Sequence, residues 1–173
     1  LFEIPTGLRR DLRFVATDVP ACGYRTYRLA PREAPPTPSP GPVVRRTPAV
    51  MELENEFYRV RLCGESGRFL SILDKELGWE LLDPEAPHAF GDLLVRGPLG
   101  DEFRPGPARV EQGASGAVCA SVHRTGSAHG HPGIRQTVTL YRGLKRIDFA
   151  VRVLKDPTPL LDAHLAFPFR VED

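Results

Sequence analysis

The chain has 173 residues, a net charge of +1, 41% hydrophobic residues and 26% charged residues. These values are typical of a globular domain, and they give no electrostatic reason to expect nucleic acid or an anionic membrane as a partner. No run of about 18 apolar residues is present, so no membrane-spanning helix is predicted. Cys22, Cys63 and Cys119 are isolated and form no disulfide framework or CxxC motif, which favours a reducing, cytoplasmic location.

Two strands are predicted within residues 1–30. Residues 9–16 have the composition of a strand, and residues 24–29 (YRTYRL) alternate between two faces. Residues 19–23 (VPACG) between them are typical of a turn. Because the sequence begins without Met, we expect it to be an excerpt of a longer protein.

Residues 31–48 are rich in proline, which lacks a backbone donor and holds φ near −65°. Such a composition favours extended, polyproline-like geometry. We therefore predict an interdomain linker here, followed by a β-domain at residues 49–173.

The segment 53–78 (LENEFYRVRLCGESGRFLSILDKELG) predicts a β-hairpin. Tyr58, Val60 and Leu62 alternate with Arg59 and Arg61, which is the period-2 pattern of a half-buried strand. Residues 64–67 (GESG) supply a tight connection, and residues 69–73 return as the second strand.

A second hairpin is predicted from residues 134–141 (IRQTVTLY) and 145–154 (KRIDFAVRVL), joined by a short loop. Residues 118–122 are predicted to form a neighbouring strand, and residues 164–169 a last one, with Pro168 marking an edge or a bend. One apolar and one polar face per strand indicates an all-β fold in which antiparallel sheets pack as a sandwich.

Four pieces of the sequence, in this order, resemble glycoside hydrolase family 38, the alpha-mannosidases. They are VPACGYRTY (19–27), ENEFYRV (54–60), the return segment with Asp74 and Lys75, and the hairpin RQTVTLY (135–141) with RIDF (146–149). The resemblance covers roughly residues 14–169 and is carried by the succession of pieces rather than by any one of them.

The resemblance implies a partial galactose-mutarotase-like supersandwich, preceded by strands of a smaller β-domain and truncated at its C-terminal end. It implies an intact enzyme that hydrolyses α-mannosides with retention. In that family the nucleophilic aspartate and the ligands of a zinc-type metal lie in an N-terminal α/β barrel. The expectation is therefore a non-catalytic, cofactor-free fragment with a scaffolding and carbohydrate-binding role, whose partners are an α-mannoside and the catalytic barrel of its own polypeptide.

Within this chain, Asp92, Asp101 and Glu102 are candidates for carbohydrate contact because they lie in glycine-containing, loop-like stretches. Since Asp and Gly are also the commonest turn residues, a solvated turn is the alternative for each, and the one the pattern favours. Trp79 could stack on a sugar, but its position at the start of a predicted strand favours half-buried packing.

His129 and His131 could share a face of a strand and so suggest a metal site. Zinc needs further ligands of suitable geometry. The surrounding Gly130, Pro132 and Gly133 favour an exposed loop tip instead.

Two other functions remain open at this point. A free-standing carbohydrate-binding module would need exposed aromatics, and aromatic residues make up only 8% of the chain, mostly at strand positions. A mutarotase-like epimerase would need a His base and a carboxylate acid, and no such pair has a motif context; fold alone does not imply function.

Overall fold

The computed structural model describes residues 14–28, 40–157 and 160–171. The chain divides into two compact units, Leu1–Thr37 and Pro38–Asp173, which we call the N-terminal and C-terminal units. The described residues form no helix with the length and hydropathy needed to cross a bilayer.

The N-terminal unit forms no strand over its described residues 14–28. The turn expected at residues 19–23 is present, because the amide of Gly23 donates to the carbonyl of Pro20 at 3.1 Å. The strand predicted at residues 24–29 is wrong for residues 24–28, because the alternating pattern finds no neighbouring strand to pair with in this unit's described residues. Most of the strand predicted at residues 9–16 lies outside the described residues. The division into three domains stays a prediction.

The described part of the C-terminal unit consists of twelve strands in three sheets, and every pairing is antiparallel. In chain order the strands are β1 (Val43–Arg46), β2 (Val50–Glu54), β3 (Tyr58–Cys63), β4 (Phe69–Asp74), β5 (Trp79–Glu80), β6 (Leu93–Arg96), β7 (Glu102–Phe103), β8 (Arg109–Ser115), β9 (Cys119–Ala128), β10 (His131–Tyr141), β11 (Ile147–Leu154) and β12 (Asp162–Leu165). The first sheet has the order β1-β2-β3-β4-β5, the second β11-β10-β9-β8 and the third β12-β6-β7.

The predicted hairpin of the first sheet is confirmed as β3 and β4. Val60 and Leu62 are fully buried while Arg61 is exposed, as the alternation requires. Gly67 adopts a left-handed conformation with φ of +68°, which a residue without Cβ tolerates, and its amide donates to the carbonyl of Cys63 at 2.9 Å.

Strand β1 lies inside the segment predicted to be linker. Val43–Arg46 pairs along its whole length with β2, so the last residues of the predicted linker belong to the sheet. The physical reason is that Pro42 and Pro48 flank these residues without interrupting them, and proline is tolerated next to an edge strand.

The hairpin predicted around residues 142–145 is confirmed as β10 and β11. Other boundaries differ from the prediction. Strand β9 continues from Cys119 to Ala128, and β12 ends at Leu165. Beyond β12, Phe169 forms only an isolated bridge with Leu82, as a chain bent at Pro168 allows.

The core forms on one face of the second sheet. Val138 and Leu140 of β10, with neighbours on β8 and β9, pack against buried residues of the first sheet such as Leu53 and Val60. At the other end of the same face, Ile134 packs against Leu93 and Val95 of the third sheet. The all-β, antiparallel sandwich predicted from the sequence is therefore confirmed.

Candidate functional site

Asp92 lies one residue before β6 and is held by a buried arginine. One of its carboxylate oxygens accepts a hydrogen bond from Nη2 of Arg124 at 3.0 Å. The side chains of Arg124 and Asp92 are 10% and 19% exposed, so most of this ion pair is removed from solvent. The loop expected around Asp92 extends no further than Asp92 itself, because strand β6 begins at Leu93.

Arg124 belongs to a buried polar cluster that joins the second sheet to the residues just before β6 of the third sheet. Its Nη1 donates to Oε1 of Gln136 at 2.8 Å and to the carbonyl of Gly91 at 3.3 Å, and the Gln136 amide donates to the same carbonyl. Arg124 is 8% exposed and Gln136 is 1% exposed. The cluster lies on the inner face of the second sheet, on the same strands as both apolar clusters.

Sequence reasoning missed this cluster, although a signal exists. Arg124 has the same strand parity as Val122, which is buried, so period-2 alternation already directs this arginine inward. A charged residue at an inward position is informative because a buried charge needs a partner.

Asp101 and Glu102 lie at the turn that joins β6 to β7. Glu102 faces Arg96 in the strand register, and its carboxylate lies 3.4 Å from Nη2 of Arg96 and 3.7 Å from Nε2 of His88. The backbone carbonyl of Asp101 accepts a hydrogen bond from Gly97, while its side chain is exposed and has no polar partner among the described residues.

The structure does not bring Asp92 together with this turn. Glu102 is paired with Arg96, which lies four residues beyond Asp92 in the chain. At the usual rise of a strand, the Cα atoms of Asp92 and Arg96 are about 13 Å apart, so Glu102 is at least as far from Asp92. A retaining glycosidase needs two carboxyl groups about 5–5.5 Å apart. Asp92 and Glu102 therefore do not form such a pair.

Trp79 is half-buried in β5, as its position at a strand start predicts. The guanidinium carbon of Arg170 lies 5.2 Å from the centroid of its ring, within the range of a cation–π contact. One face of the indole is thus already in contact with a cation.

His129 and His131 flank the turn between β9 and β10, in which Gly130 has φ of +66°. The His129 ring stacks on Phe103 with centroids 4.0 Å apart. His131 is 2% exposed, and its Nδ1 lies 2.8 Å from the carbonyl oxygen of His129. Over residues 14–28, 40–157 and 160–171, no three His, Cys, Asp or Glu side chains are grouped to hold a metal ion.

Glu54, Asn55, Asp74 and Lys75, which lie in the segments that carry the sequence resemblance, meet Lys145 at one polar junction. We call these five residues the motif junction. Within it, the carboxylate of Glu54 receives hydrogen bonds from Arg45 at 2.6 Å, Lys75 at 2.9 Å and Arg59 at 3.0 Å. Burial would raise the pKa of Glu54, but the three cations outweigh it and lower the pKa to about 2.

Asn55 links the first sheet to the second at the motif junction. Its Oδ1 accepts from the amides of Phe57 at 2.9 Å and Tyr58 at 2.7 Å, and its Nδ2 donates to the carbonyl of Tyr141 at 2.8 Å. The side chain is 6% exposed, so these bonds are made largely away from water.

Asp74 and Lys145 make the second link between the two sheets. The Nζ of Lys145 lies 3.0 Å from the carboxylate of Asp74, which also accepts from the amides of Glu76 and Leu77. Burial would raise the pKa of Asp74, but the lysine and the two amides hold it below its ordinary value.

The fold and the candidate residues together define an antiparallel β-sandwich domain whose motif residues bind its sheets to each other. A comparison with protein families matches residues 53–173, more than half of the chain, to the family described as the C-terminal domain of family 38 glycosyl hydrolases. The chain therefore belongs to glycosyl hydrolase family 38 and contains a non-catalytic domain of such an enzyme. Among curated proteins, none matches the chain.

Proposed function

We propose that this chain supplies the scaffolding β-sandwich of an enzyme that hydrolyses α-mannosides with retention, and that it also contacts the carbohydrate. The observation that supports this most is the motif junction. Asn55 and Asp74 lie in segments that resemble alpha-mannosidases, and they link two sheets, Asn55 through Tyr141 and Asp74 through Lys145. Linking the sheets is a scaffolding role.

The chemistry in this proposal comes from another part of the same polypeptide. Family resemblance assigns the nucleophilic aspartate and the ligands of a zinc-type metal to an N-terminal barrel. The carboxylate of Asp92 is held by Arg124 and lies far from Glu102, so neither residue is arranged to attack or protonate a glycosidic bond together with the other.

Carbohydrate contact is proposed for the β6–β7 turn. Asp101 is exposed, and Glu102 is partly exposed beside Arg96, so both carboxylates are accessible acceptors for sugar hydroxyls. Asp92 and Trp79, the other two candidates, are already engaged by Arg124 and Arg170 and contribute less in this proposal.

The test is calorimetric or NMR titration of the chain with methyl α-mannoside. We expect saturable binding that Asp101→Asn and Glu102→Gln each weaken. Glu65→Gln is the control for loss of a carboxylate, because Glu65 is exposed in the β3–β4 turn, which belongs to a different sheet from the β6–β7 turn. Absent binding, or binding that all three variants leave equally strong, would contradict a carbohydrate contact at this turn.

A further inference from the structure

The outer face of the second sheet, opposite the core, carries an open hollow of about 360 Å³. That volume is within the range of small-molecule sites. It is lined by side chains from three adjacent strands: His123, Arg135, Thr137, Ala150 and Arg152. Thr137 pairs in register with His123 on one side and with Ala150 on the other, so the lining residues form a contiguous patch.

Two arginines face each other across this hollow. Arg135 of β10 is directly opposite Arg152 of β11 in the strand register. Like charges at directly opposite positions destabilise a pair of strands. Neither arginine has an ion-pair partner within the described parts of the chain, whereas Arg45 and Arg59 of the first sheet both bind Glu54.

The nearest carboxylates on this face are used elsewhere. Asp148 accepts a hydrogen bond from the Tyr141 hydroxyl at 2.8 Å and is ion-paired with Arg146. Glu111 of β8 faces His123 in register and lies 3.5 Å from Arg109. The positive charge of the two facing arginines therefore stays uncompensated by the described residues.

The other polar groups of the hollow add hydrogen-bonding capacity. Nδ1 of His123 lies 2.9 Å from the hydroxyl of Thr137. Burial and the neighbouring charge of Arg135 lower the pKa of His123, against a smaller opposing effect of Glu111, so the ring is neutral near pH 7. A neutral imidazole and a hydroxyl beside two guanidinium groups suit a ligand that accepts several hydrogen bonds.

We propose that this hollow is a binding site for an oxyanion, a phosphate, sulfate or carboxylate group, held between the guanidinium groups of Arg135 and Arg152. Guanidinium forks match the geometry of such groups and form charge-assisted hydrogen bonds with them. The anion would remove the repulsion between the two arginines. The site lies on the face opposite the sandwich core and does not depend on the proposed carbohydrate contact.

The test is titration of the chain with inorganic phosphate at low ionic strength, followed by calorimetry and by the NMR shifts of His123. We expect saturable binding that weakens at least about tenfold in Arg135→Gln and in Arg152→Gln, since each removes a charge-assisted contact to the anion. Arg68→Gln is the control, because Arg68 is an exposed arginine in the β3–β4 turn. Thermal unfolding checks that all three variants fold.

Two results would overturn the proposal. One is the absence of saturable phosphate binding. The other is an equal loss of phosphate affinity in Arg68→Gln, which would mean that phosphate binding depends only on the net charge of the chain. Titration with a hexose phosphate and with glucuronate identifies the source of the anion. If either binds more tightly than inorganic phosphate, the ligand is an anionic sugar. If they bind equally tightly, the ligand is the free ion.

Discussion

Glu54 is a single carboxylate that forms ion pairs with three cations at the end of strand β2 in the first sheet. Its side chain is 14% exposed and contacts Arg45, Arg59 and Lys75. Because these contacts lower the pKa of Glu54 from 4.5 to about 2, the folded state favours the ionised carboxylate more than the unfolded state does. The stabilisation is complete above the unfolded pKa and is lost as the pH falls through the folded one.

We therefore expect Glu54→Gln to lower the free energy of unfolding by on the order of 2 kcal/mol near pH 7, with the deficit shrinking between about pH 4.5 and pH 2. Urea unfolding at several pH values measures this, with Glu65→Gln as the control. A variant whose stability changes with pH as steeply as the parent chain would contradict the assignment to Glu54.

We expect replacement of Arg124 to cost more free energy of unfolding than replacement of its ion-pair partner Asp92. Arg124→Met leaves the Asp92 carboxylate and the Gln136 oxygen without their donor, so we expect a loss of about 3 kcal/mol in the free energy of unfolding. Asp92→Asn removes the counter-charge of Arg124 but keeps a hydrogen-bond acceptor for it, and the bonds from Arg124 to Gln136 and Gly91 remain, so we expect a smaller loss of about 1–2 kcal/mol. Equal losses in denaturant titrations would contradict the expected difference between the two variants.

At the scale of elements, two glycine turns of the same backbone conformation differ in their surroundings. Gly67 in the β3–β4 turn has φ of +68°, and an added Cβ would lie 3.1 Å from Ala108 and from Val110. Gly143 in the β10–β11 turn has φ of +69°, and an added Cβ would meet nothing within 4 Å. The pair separates backbone strain from packing.

We expect Gly143→Ala to destabilise the chain by about 1 kcal/mol, which is the cost of a left-handed alanine. Gly67→Ala should cost about 2 kcal/mol or more, because the methyl group must also displace the segment that begins β8. Thermal unfolding of the two variants compares them directly. Equal losses would mean that the β3–β4 turn is not packed against Ala108 and Val110.

The elements also show what the sequence could predict. The β3–β4 and β10–β11 hairpins were predictable because the strands of each have one apolar and one polar face and are joined by a turn that contains glycine. Strand β1 was not, because its flanking prolines outweigh the short run Val43–Arg46. The strand expected at residues 24–29 shows the reverse case, since alternation without a partner strand forms no sheet.

At the scale of the whole molecule, the polar side chains of the motif junction and the Arg124 cluster fix how the three sheets meet. Their individual residues were visible in the sequence, but their partners were not: Asn55 bonds to a carbonyl 86 residues away, and Arg124 to a carboxylate 32 residues away. Periodicity assigns a residue to a face, whereas a contact between sheets depends on the packing of both. The hollow at Arg135 and Arg152 depends in the same way on strand register.

The most direct test of the central claim is hydrolysis of 4-nitrophenyl α-mannoside by this 173-residue chain. As a proposed scaffolding domain in which Asp92 and Glu102 form no catalytic carboxylate pair, the chain is predicted to give no turnover above the uncatalysed rate, with or without added zinc. Turnover that Asp92→Asn or Asp101→Asn abolishes would contradict the account, because it would place the chemistry inside this β-sandwich.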